Sequence, residues 1–120
     1  MRAEVLNSIL SDLNGSSSDI IASAVLSTDG LVMASLLSGD MDEDRVGAMS
    51  AAMLSLGDRI SSELMRGELE QVLIKGSLGY VMMTNAGADA VLTVIAGSDT
   101  RLGLIFLDIR RAAESIVKII

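Results

Sequence analysis

Side chains that take a proton, attack a carbonyl or ligate a metal set the limits of what a chain can do. This one lacks two of the most versatile, His and Cys. Imidazole bases, thiol nucleophiles and Cys-based zinc sites are therefore excluded. A Ser-His-Asp triad has no base. What remains is sixteen carboxylates and nine cations. Two carboxylates could serve a glycosidase, but sugar sites are walled by aromatics, and one Tyr and one Phe do not make a wall. The densest acidic run, Asp40, Asp42, Glu43 and Asp44, suggests a calcium loop. Its sixth position would be Arg45 where Gly is needed, and its twelfth Ala51 where Glu is needed. The run reads instead as a helix start, where the dipole favours acids. Gly76-x-x-Gly79 is the nearest approach to a phosphate cradle, but no Gly-Lys-Ser/Thr follows it, so it reads as a turn. Arg45, Arg59, Arg66, Arg101, Arg110 and Arg111 could in principle reach a partner's transferring phosphoryl group. Spacing raises none of them above the others. No catalytic, cofactor-binding or metal-ligating set is expected, and the chain reads as one that holds something.

Composition narrows what it could hold. The net charge of −7 and scarce aromatics oppose nucleic acid, which needs cations for phosphates and rings for stacking. The longest uncharged stretch, Gly76 to Ala88, is too short to span a bilayer and is broken by polar residues and glycines. Glu4 and Asp12 interrupt the amino-terminal segment where a secretory signal needs an unbroken apolar region. A cytoplasmic protein with no membrane insertion is expected.

The length of 120 residues supports one domain over 1–120, and the apolar pattern changes period several times along it. Residues 2–14 repeat at helical spacing and stop at Asn14-Gly15. Apolar strands at 20–26 and 31–36 flank Asp29-Gly30, a hairpin signal. A helix follows from about Asp42 to Arg66, with Gly67 as its expected C-terminal glycine. Three further strands read at 69–75, 80–84 and 90–96, and a last helix covers about 100–120. Its Arg110–Glu114 spacing suits a weak helical pair. The expected fold is α+β: a five-stranded antiparallel sheet, with the second helix on one face and the first and third on the other.

The second helix presents two apolar stripes. Val46, Met49, Met53, Leu56, Ile60 and Leu64 form one, which suits packing onto the sheet. Gly47, Ser50, Ala51, Leu54, Ser61 and Met65 form another, about a third of a turn away. Small residues allow close approach, and Leu54 and Met65 are poor choices for a solvated face. The second stripe is therefore expected to meet a second copy, and charge introduced there by Ala51→Glu or Leu54→Glu to break the assembly.

Taken in order, the segments 25–35, 69–83 and above all 90–116, with Leu102-Gly103-Leu104 followed by Arg110-Arg111-Ala112-Ala113, resemble a roadblock/LC7 domain. Similar proteins often carry Asn where this chain has Arg101, so Asp99 or Thr100 is expected to cap the last helix instead. The resemblance implies a homodimer in which second helices pack across a two-fold and third strands pair edge to edge. It adds Leu69, Gln71 and Leu73 to the expected interface. It further implies regulation or scaffolding of a small Ras-like GTPase, with GAP-like modulation of hydrolysis and no donated catalytic residue. The alternative is a structural adaptor or light-chain subunit whose binding ignores nucleotide.

Overall fold

A computed structural model describes residues 2–120. Its elements are α1 (Arg2–Ser16), β1 (Ile20–Ser27), β2 (Val32–Leu36), α2 (Glu43–Glu63), β3 (Gln71–Gly76), β4 (Gly79–Asn85), β5 (Ala90–Gly97) and α3 (Leu102–Val117). The strands form one antiparallel sheet in the order β2-β1-β5-β4-β3, as the expected α+β class requires. β5 enters last but lies centrally, which is why Val91, Leu92, Thr93 and Val94 are all buried.

Two cores lie on opposite faces of the sheet. The larger gathers Leu6, Leu10 and Leu13 of α1 with Ile105, Ile109 and Ile116 of α3 over Val25, Met82, Leu92 and Val94. Each such side chain contributes on the order of 1.5–3 kcal/mol by leaving water. Asn14 fastens α1 to the sheet, accepting from the Ser23 hydroxyl at 2.6 Å and donating to the Leu36 carbonyl at 3.3 Å. The smaller core sets Leu54 of α2 over Ala24, Leu26, Met83 and Val91.

Helix ends depart from expectation in three places, the first being α1, which runs through Asn14-Gly15 to Ser16 where the sequence predicts a stop. α2 stops at Glu63, and the first residue to turn left-handed after it is Met65 (φ 55°), two positions ahead of the expected Gly67, which is left-handed as well (φ 86°). The Arg66 amide reaches the Ser61 carbonyl (2.7 Å) and the Met65 amide the Ser62 carbonyl (3.1 Å), closing a Schellman turn two residues early. At α3, neither Asp99 nor Thr100 caps. Arg101 holds the cap position without a side-chain bond, while the Thr100 hydroxyl donates to the Gly97 carbonyl at 2.6 Å. At the start of α2 the helix-start reading of the acidic run holds, with the Asp42 carboxylate accepting from the Asp44 amide at 3.0 Å. Arg110 and Glu114 do not pair; on α2, Arg59 and Glu63 do, at 3.3 Å and well exposed.

Candidate interaction surface

α2 crosses the sheet from β2 toward β3, and its small residues set the route. A Cβ on Gly47 would stand 2.6 Å from the Gly30 carbonyl oxygen, so only glycine lets the helix reach the β1–β2 turn. One turn on, the Ser50 hydroxyl meets that of Thr93 at 2.9 Å, both buried, on central β5. Gly57 then passes Leu69 and Val72 at the β3 edge. Six more residues, about 9 Å of helix at 1.5 Å each, continue beyond that point.

This path turns α2 the opposite way from the sequence-based expectation. Gly47, Ser50, Leu54 and Ser61 are buried against the chain's own sheet and loops, and Ala51 is half-buried. They are spent inside one copy. The stripe expected to cover the sheet faces out instead: Met49 is 62%, Leu56 59%, Ile60 48% and Leu64 66% exposed. Only Val46 and Met53 of that stripe pack onto the smaller core. Beside it, the row Ile74–Val81–Ile95 continues across the same sheet face, half-buried or exposed.

Of the other expected contact residues, Met65 is exposed at the end of α2 and Leu69 is half-buried in the smaller core. Gln71 and Leu73 lie exposed on β3. β3 is an outer strand, hydrogen-bonded to β4 and with its other edge open. An open edge beside an apolar stripe is a template for another chain. Gly76-x-x-Gly79 is the β3–β4 hairpin turn, where a Cβ on Gly79 would stand 2.3 Å from the Ala96 oxygen. Among the described residues no group of His, Cys, Asp or Glu is arranged to hold a metal ion. The sequence missed the outward apolar row because Ile74, Val81 and Ile95 lie far apart in the chain and meet only through strand register.

The family model described as Roadblock/LC7 domain matches residues 6–96. The chain belongs to the Roadblock/LC7 family. An uncharacterized protein of Methanocaldococcus jannaschii, MJ1340, is 38% identical over 112 residues, 93% of this chain and 96% of its own. A solved Roadblock/LC7 domain from Streptomyces avermitilis is 26% identical with a TM-score of 0.72, covering 91% of this chain and 95% of that one. MglB in a tetrameric arrangement superposes with a TM-score of 0.90 at 17% identity, covering 98% and 89%. That last likeness shows that this Roadblock/LC7 chain shares the fold of MglB. Among its described residues no helix is long and apolar enough to cross a membrane.

Proposed function

We propose that the chain is a non-catalytic homodimeric regulator or scaffold that binds a small Ras-like GTPase and modulates its GTP hydrolysis. The observation that carries the dimer is the meeting of two unfinished surfaces: the outward stripe of α2 and the open edge of β3. A second copy related by a two-fold covers both at once, since an isologous contact places the same helix and strand opposite themselves. The interface residues are then Met49, Leu56, Ile60 and Leu64 with the expected Met65, Gln71 and Leu73, while Gly47, Ser50 and Leu54 serve the fold within each copy.

The GTPase partner rests on family membership. The test is retention of partners from source-cell lysate on the immobilised chain, with GDP or a non-hydrolysable GTP analogue added. A small GTPase held in one nucleotide state supports regulation. The same partner in both states, or a motor or scaffold subunit, replaces regulator with adaptor.

A further inference from the structure

On the flank of α2 away from the exposed stripe lies a groove that the dimer reading leaves unused. α2 forms one wall and the connection from α2 to β3 the other, with the β4–β5 turn at one end. Its floor is apolar, made by the half-buried Ala51 and Leu69 with the buried Leu54 beneath them. Hydrogen bonds hold the second wall in place: the Asn85 side-chain amide donates to the Leu69 carbonyl, and the Thr84 hydroxyl to the Glu70 carbonyl at 3.2 Å. The groove is therefore ready-made, not a gap between loose loops.

Its charge has one sign. Asp58 and Glu68 line it, Asp29 and Asp89 stand exposed in the two neighbouring turns, and no basic side chain contributes to the lining. A nucleic acid or an anionic lipid surface would be repelled there. The described residues offer no metal-binding group that would explain the carboxylates. An apolar floor beneath an acidic rim suits a side chain with an apolar face flanked by cations.

We infer that this groove binds a basic, amphipathic segment of a partner protein, its apolar side chains on Ala51 and Leu69 and its Lys or Arg residues against Asp58 and Glu68. Every group that builds the groove belongs to one chain.

Fluorescence anisotropy with a labelled Lys/Leu amphipathic peptide tests it. The intact chain is expected to bind that peptide and to ignore its Glu/Leu counterpart. Asp58→Lys with Glu68→Lys should weaken binding by about tenfold or more. Asp40→Lys with Glu114→Lys makes the same change in net charge outside the groove and should alter binding less than about twofold. Asp58→Asn with Glu68→Gln, a milder pair, guards against a variant that fails to fold and should show an intermediate loss. Equal losses in the groove and control variants would overturn the inference, because binding would then follow net charge alone. So would a Lys/Ser peptide that binds as tightly as Lys/Leu, since the apolar floor would contribute nothing.

Discussion

Met65 occupies a backbone conformation that glycine tolerates and most side chains avoid, and its side chain is 83% exposed. Within one copy it has no packing to offset that strain, which is on the order of 1–2 kcal/mol. Met65→Gly should therefore raise the stability of the isolated fold by about 1 kcal/mol, read as a higher urea midpoint at unchanged slope. A lower midpoint would mean the thioether makes contacts worth more than the strain. The Ser50–Thr93 pair presents the opposite case, two hydroxyls that satisfy each other in a buried seam. Thr93→Val should cost about 1–3 kcal/mol by orphaning Ser50, and adding Ser50→Ala should recover part of that loss. Additive losses would show that the hydroxyls do not depend on one another.

At the scale of elements, the contact between α2 and the β1–β2 turn decides where the helix lies. Gly47→Ala gains about 1 kcal/mol of helix propensity. The added methyl meets the Gly30 carbonyl, a backbone atom that cannot swing away, and overpacking of that kind costs about 1–3 kcal/mol. The clash should win, giving a lower melting temperature, and an unchanged one would show that the helix can slide. The same contact explains what was legible in the sequence. Element order followed from changes of period, and the Asp29-Gly30 hairpin from its turn chemistry. The orientation of α2 did not follow, because Gly47, Ser50 and Leu54 look alike whether they approach a neighbouring sheet or a neighbouring molecule. Two apolar stripes fit two partners in either order, and only the position of Gly30, seventeen residues earlier, breaks the tie. The groove beside Leu69 was equally hidden, since Asn85 holds that wall from sixteen residues away.

For the whole molecule, the outward stripe links folding to assembly. A chain that folds as a dimer gains about 1.4 kcal/mol per tenfold rise in protein concentration. Its melting temperature should climb across a dilution series. Ile60→Glu, on an exposed position that one copy tolerates, should abolish the climb and halve the mass in sedimentation while leaving the circular dichroism intact. A wild-type melting temperature independent of concentration would remove the dimer from the proposed function.

The central position of β5 also governs how the molecule comes into being on the ribosome. The β1–β2 and β3–β4 hairpins close from neighbouring residues, but no strand joins one hairpin to the other until β5 slots between β1 and β4. Two ribbons, each marginal alone, must therefore wait for residues 90–97 to emerge before a shared sheet exists. The pairing of Ser27 with Ala90 closes a long loop, the kind of step that slows a folding reaction. Synthesis of the chain thus leaves both hairpins with an open edge until residues 90–97 have left the ribosome, and that interval is when a chaperone would meet it.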